Sequence, residues 1–444
     1  MLTRGRRISA VALLAIAAPA GAIAQTQPAP APAGVPDKAV SIEALVQSLL
    51  GARKFDEADR VLDQVATAAP NDPQLLFLRG IVALARGDIK RAIKLFRQQL
   101  IDHPEAVRVR LELARAFFMD KDYANATRQF RFARAGNPPA AVIANIDRYL
   151  FMIREAKNWS YTFGVSLAPD TNLNAGPGSR DITIYGLPFE LSDDARGQSG
   201  VGLALDGSVE FAPRIGKDTR FRIGLQGSQN LYAKGEFDDT SGTAYIGPRF
   251  VRGRWDVSVL ATGFVRRYGG VPYNGAVGGR IEGTYYPSGK TAISIGLSAQ
   301  RARYALDIGR NGGNYSASAS ILHTLDAASG MVVKGGVSRQ TALVPSLANT
   351  SLFLAAGYFR DLAGGFTIYV EPSYFRSRYD DILPAFGVKR ADDGVTGTLT
   401  LLNRHIVLGR FTPKFSYSYT LQNSNIALYQ YRRNRFEIGL TTSF

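Results

Sequence analysis

The chain has no cysteine and only three histidines in 444 residues. Without a thiol there is no disulfide, no thiolate nucleophile, no Cys-built metal centre and no lipobox cysteine to take a lipid. Freedom from cysteine also suits a protein that crosses an oxidising compartment unfolded. Of the histidines, His103 falls at an expected helix end, and His323 and His405 near the ends of strand-like segments. None stands in a Ser/His arrangement for hydrolysis, and neither G-x-S-x-G nor H-E-x-x-H occurs. The expectation is a protein that is not an enzyme, with no cofactor and no metal. Long apolar runs are missing too: no window approaches the roughly 18 residues of a spanning helix.

Charge is plentiful but not concentrated. The formal net charge of +16 divides into +3 over residues 1–24, +5 over 25–158 and +8 over 159–444. Acids are interleaved throughout, and no basic tract carries stacking aromatics, which excludes a nucleic-acid partner. The excess fits acidic lipid head groups or a partner of opposite sign.

What is present begins with a leader. Arg4, Arg6 and Arg7 precede the apolar run 11–18, and Ala22-Ile23-Ala24 offers an A-x-A cleavage site. Residues 1–24 read as a secretory signal peptide. Residues 25–41 form a linker whose alternating Pro and Ala give a semi-rigid spacer without a core.

Residues 42–157 repeat with a period of 34. Pro70, Pro104 and Pro138 are in step, as are Ala58, Ala92 and Ala126, then Leu62, Phe96 and Phe130, then Phe55, Ile89 and Tyr123. This period and these residue types match the tetratricopeptide helix-turn-helix unit. Small residues let paired helices approach, aromatics fill the gap to the next repeat, and proline ends each second helix. The spacing predicts first helices over 42–51, 74–86 and 107–119, second helices over 55–68, 89–102 and 123–135, and a capping helix over 140–157. Such a solenoid is a docking surface for a segment of another protein.

From Trp159 the texture changes to glycine, serine and alternating aromatics. Leu203, Leu205, Val209 and Phe211 oppose Ala204, Asp206, Ser208 and Glu210; Phe415, Tyr417 and Tyr419 oppose Lys414, Ser416 and Ser418. Fourteen such segments run from 159–168 to 428–444. Short turns alternate with longer links over 169–198, 304–312, 342–347 and 379–390. Short turns on one side, long loops on the other and strands with one apolar face are the pattern of an outer-membrane barrel. The fold class is therefore α + β multidomain: an N-terminal tetratricopeptide solenoid followed by a 14-stranded antiparallel transmembrane β-barrel over 159–444.

The phase of alternation turns Asp206, Glu210, Arg220, Arg222, Asp256, Lys334, Glu371, Lys414, Arg435 and Glu437 toward the lumen. The mixed signs argue against a one-sign ion channel, and for a hydrogen-bonded interior or a polypeptide path. Asp170, Asn172 and Asn174 open the longest loop with D-x-N-x-N spacing. The glycine falls at Gly176 and position twelve is Asp181, so an Asx-rich turn explains them better than a calcium loop.

Together these residues resemble a known family. The stretch from Trp159 to Ala175, W-S-Y-T-F-G-V-S-L-A-P-D-T-N-L-N-A, is similar to the first barrel strand and Asp/Asn-rich exit of the surface lipoprotein assembly modulators. These are also described as type XI secretion outer-membrane proteins. The stretch from Ser424 to Leu440 resembles their last hairpin and strand. The resemblance implies a translocon in the outer membrane of a Gram-negative bacterium, with its repeats in the periplasm. Its client would be a lipoprotein or a soluble secreted carrier for haem or metal acquisition, received with or without a periplasmic chaperone. Outer-membrane lipid would surround the barrel. Exopolysaccharide export, which also pairs such repeats with a barrel, is the alternative reading, and a porin the third.

Overall fold

The computed structural model describes residues 41–442, apart from 70, 71 and 157. The leader, nearly all of the linker, and the expectations placed on Pro70, Lys157 and Phe444 fall outside these residues.

Among the described residues seven helices come first: α1 (Ile42–Gly51), α2 (Phe55–Ala68), α3 (Pro73–Arg86), α4 (Ile89–Asp102), α5 (Val107–Met119), α6 (Tyr123–Ala135) and α7 (Ala140–Ala156). The 34-residue columns are their packing surface. Ala58, Ala92 and Ala126 are fully buried, as are Leu62, Phe96 and Phe130. Gly80 lies against the Phe96 ring so closely that a Cβ would collide with it. The period extends to the turns. Arg53, Gly87 and Lys121 all adopt positive φ (57°, 91° and 60°), and Asp88 and Asp122 each cap the following helix, accepting from Arg91 N at 3.2 Å and Asn125 N at 3.3 Å. His103 is the C-cap residue of α4.

Sixteen strands follow, fourteen of them in one closed antiparallel barrel. These are β1 (Trp159–Asp170), β4 (Gly200–Phe211), β5 (Thr219–Tyr232), β6 (Asp239–Arg252), β7 (Trp255–Tyr268), β8 (Val271–Ser288), β9 (Thr291–Tyr304), β10 (Gly312–Thr324), β11 (Ser329–Gln340), β12 (Asn349–Asp361), β13 (Phe366–Leu383), β14 (Val388–Asn403), β15 (Thr412–Ser424) and β16 (Tyr431–Thr441). Each pairs with its sequence neighbour and β1 closes on β16. Val201, Leu225, Val259, Val277, Ile295, Leu297 and Ile438 stand exposed on the outside. Such a continuous apolar wall needs lipid. Both tryptophans sit at the short-turn end of this wall, Trp159 beside Phe211 and Trp255 beside Tyr285, each ring pair 4.5 Å apart. They belong to an interfacial aromatic girdle.

Two long links differ from expectation. Within 169–198 the chain forms a small hairpin, β2 (Asp181–Ile184) with β3 (Leu187–Glu190), turning through Tyr185 and Gly186 at positive φ. The expected irregular link 379–390 is mostly strand: β13 and β14 continue as a hairpin past a register shift between Arg378 and Ile382. The hairpin is held from the side, where Tyr185 N donates to Ala385 O at 2.7 Å.

Candidate functional site

Inside a closed barrel, side chains from non-adjacent strands converge; outside it they diverge. Several of the charged residues read from the alternation make such chords. Arg222 on β5 holds Glu210 on β4 at 2.6 Å and reaches past two strands to Glu282 on β8 at 2.8 Å. Ser258 and Tyr245 complete that cluster at 2.9 and 2.7 Å. Lys334 on β11 passes over β12 to Glu371 on β13 at 2.6 Å, and Tyr369 also bonds Glu371. Lys414 pairs with Glu437 at 2.9 Å. Arg435 bonds Glu437 at 3.1 Å and, across β1 and β4, Asn230 on β5 at 2.7 Å. Asp256 is bound by Arg249, with Nε to Oδ1 at 2.8 Å. Asp206 faces Gly164 and lines a small cleft with Gln226 and Ser228. Arg220 sits deeper, bonded to Asn158 and Ala212 O at 2.8 and 2.7 Å. The structure gathers these residues into separate cross-braces and brings no single reaction centre together.

Asp170, Asn172 and Asn174 form a latch. Asp170 is fully buried and takes Arg433 Nε on β16 at 3.0 and 2.9 Å. Its Oδ1 also accepts Asn172 N at 2.9 Å. The Asn172 amide spans Gly176 O and Arg432 O at 2.9 and 3.2 Å, and Asn174 fixes Arg196 O and Gln198 N at 2.8 and 3.0 Å. The Asp170 oxygens tie the first strand's exit to the last strand, while those of Asn172 and Asn174 accept within the loop, from Gly176 N and Gln198 N.

The strongest constellation is one that the alternation does not reveal: the seat of the helices on the barrel. Asp361, at the end of β12, is buried among three arginines. Arg110 of α5 reaches it at 2.9 Å, Arg128 of α6 at 3.1 Å and Arg404, beyond β14, at 3.7 Å. Thr367 donates to it at 2.7 Å. Arg110 is itself fully buried and also bonds Pro104 O at 2.6 Å and Gln129 Oε1 at 2.7 Å. Burial pulls the Arg110 pKa down to about 10, against the opposing pull of Asp361. Its guanidinium lies 4.4 Å from the centre of the Phe132 ring, and Phe132 meets Phe359 of the barrel at 6.1 Å.

The remaining short turns are engaged as well. Glu155 of α7 meets Arg214 in the β4–β5 turn at 3.6 Å. Arg154 donates to Gly253 O in the β6–β7 turn at 2.9 Å. Lys290, in the β8–β9 turn, bonds Asn137 Oδ1 at 3.2 Å. Gly136 lies against Ala327 of the β10–β11 turn. In the β14–β15 turn, Arg404 donates to Leu100 O of α4 at 3.4 Å. Helices α4–α7 thus touch all six short turns of the barrel.

A fourteen-stranded barrel with an apolar outer wall and a tetratricopeptide stack seated on its short-turn end defines an outer-membrane barrel protein with a built-in helical domain. A family model described as surface lipoprotein assembly modifier matches residues 159–444, and a second, described as that family's N-terminal TPR repeats, matches residues 37–130. The chain belongs to the surface lipoprotein assembly modifier family. It is 23% identical to surface lipoprotein assembly modifier 1 of Haemophilus influenzae, over 84% of this chain and 78% of that protein. It is 23% identical to the surface lipoprotein assembly modifier of Moraxella catarrhalis (84% and 75%) and 24% identical to modifier 2 of Neisseria meningitidis (88% and 84%). Among solved structures, a Pseudomonas aeruginosa FadL homologue aligns over 70% of this chain and 94% of that one, with 11% identity and a TM-score of 0.39. That likeness is too loose to carry an argument.

Proposed function

We propose that this protein is a non-catalytic outer-membrane translocon that delivers particular client proteins to the cell surface or medium. The clients are surface lipoproteins or secreted carriers for haem or metal acquisition. The short-turn end faces the periplasm, where the helical repeats receive the client or its chaperone.

The observation that carries this reading is the Asp361 node. A buried carboxylate shared by Arg110 and Arg128 of the solenoid and Arg404 of the barrel fastens a protein-binding module to one mouth of a membrane barrel. A freely tethered receptor would need no such seat. The mixed, cross-braced interior favours a polypeptide path over a small-ion pore. The family description and the relatives' names supply the class of client.

The test compares cells with and without this protein by protease shaving of intact cells and mass spectrometry of the released peptides. Loss of one or two proteins from the surface, with their accumulation in the periplasm, is the expected result. An unchanged protein profile with loss of surface polysaccharide would overturn it.

A further inference from the structure

Beside the Asp361 node lies a cavity of about 800 Å³ between the helices and the foot of β1. Its walls come from α4, the α5–α6 turn, the β14–β15 turn and the first residues of β1. Six cationic side chains line it: Lys90, Lys94, Arg97, Lys121, Arg404 and Arg410. Only two acids do, Asp120 and Asp122, and both are committed. Asp120 pairs with Lys90 at 2.7 Å, and Asp122 caps α6. Lys94 and Lys121 form no ion pair among the described residues. Arg97 is half-buried against the Phe117 ring at 5.1 Å, and burial lowers its pKa with Asp122 only partly opposing. With Lys90 held by Asp120 and Arg404 beside Asp361, the concavity still gathers Lys94, Arg97, Lys121 and Arg410 with no ion pair among the described residues.

The outer edge of the cavity indicates what supplies the missing negative charge. Trp159 and Tyr161 line it and are more than half and about half exposed on the lipid-facing side of β1. Tyr161 bonds Arg410. Aromatic rings on this phase lie at the level of lipid head groups, where each nearby lysine or arginine attracts anionic lipid. Directly along the wall from these rings run Phe163 and Leu167 of β1 and Ile438 of β16, all exposed and apolar. A basic hollow at head-group level with a greasy track beside it matches an amphiphile with an anionic head.

We propose that this cavity binds the phosphate-bearing head group of an anionic phospholipid, whose acyl chains lie along the outer face of the β1–β16 seam. The lipid neutralises the cavity and bridges helices to barrel beside the Asp361 node. An acidic polypeptide would meet the same charge but has no use for the apolar track.

The test is native mass spectrometry of the purified full-length protein released from detergent, with phosphatidylglycerol, phosphatidylethanolamine, inorganic phosphate or a polyglutamate peptide as probes. The comparison variant is Lys94→Gln with Lys121→Gln, two exposed side chains; Lys234→Gln with Lys389→Gln, outside this cavity, is the control. The expected result is one phosphatidylglycerol retained by the wild type and by the control. Its binding is weaker by about thirtyfold in the Lys94/Lys121 variant, from about one tenfold step or less per lysine. Equal retention by wild type and variant overturns the proposal. Phosphatidylethanolamine held as tightly overturns the charge requirement. Binding of phosphate alone to the same degree makes it a free-anion site, and displacement by polyglutamate makes it a peptide site; either result rejects the lipid.

Discussion

The Asp361 carboxylate joins two helices of the solenoid to a turn of the barrel. Its three arginine partners come from two helices and a barrel turn, so its loss leaves buried positive charge without compensation. The variant Asp361→Asn is expected to cost about 3–5 kcal/mol, the range for breaking a buried pair from one side. Limited proteolysis would see it: the helices should be cleaved while the barrel keeps its heat-modifiable migration in gels. Equal protease resistance would reject the node as the seat. The sequence held a trace of this site that matching columns hides. Arg110 stands at the repeat position filled by Ile42 and Leu76, and Phe132 at that of Gln64 and Gln98. A period is found from positions that agree, whereas the seat is built from those that break it. By contrast, Glu210, Arg222, Lys334 and Glu371 were legible because alternation sets the face of a strand residue, although it says nothing of which strand a side chain will reach.

Elements were the most legible level. Helix limits follow the 34-residue columns within a residue or so, because each column is a packing requirement repeated. The small position at Gly80 is one of them, and there the Phe96 ring occupies the space a Cβ would take. Gly80→Ala is expected to destabilise the solenoid by about 1–3 kcal/mol through overpacking, read as a lowered urea midpoint for the helical signal. The β2–β3 hairpin was not legible: its strands are four residues each, and Pro188 within the second argues against a strand. The barrel seams differ in a way that only pairing shows. Among the described residues β1 and β16 share five paired positions, and none at Ala168 or Pro169, while every other seam has at least ten. Pro169 offers no N–H, and the latch of Asp170 to Arg433 closes the seam above the gap. Hydrogen exchange in lipid nanodiscs should therefore find the amides of 436–437, opposite the gap, exchanging ahead of those in β4 and β5. Equal protection would reject a weak seam.

At the scale of the whole molecule, an even number of strands returns the chain to the end where it entered the barrel, and that end carries the helices. On the proposed function, removing residues 37–157 should leave an inserted barrel that no longer delivers its client. Intact-cell labelling of the client reads the outcome, and undiminished delivery would reject a receptor role for the repeats.

The bond between Arg110 and Asp361 joins residues 251 positions apart. Folding kinetics depend on such separations. Seven helices built from local contacts form early, while a barrel of fourteen strands closes late. Until β12 is in place, Arg110 and Arg128 have no carboxylate from the barrel to bury against, and the node is complete only when Arg404 joins it. The solenoid therefore spends assembly folded but unseated, and its docking reports that the strands beneath it are complete. Seating thus couples the two domains in time: the helices wait on contacts that the later part of the chain supplies.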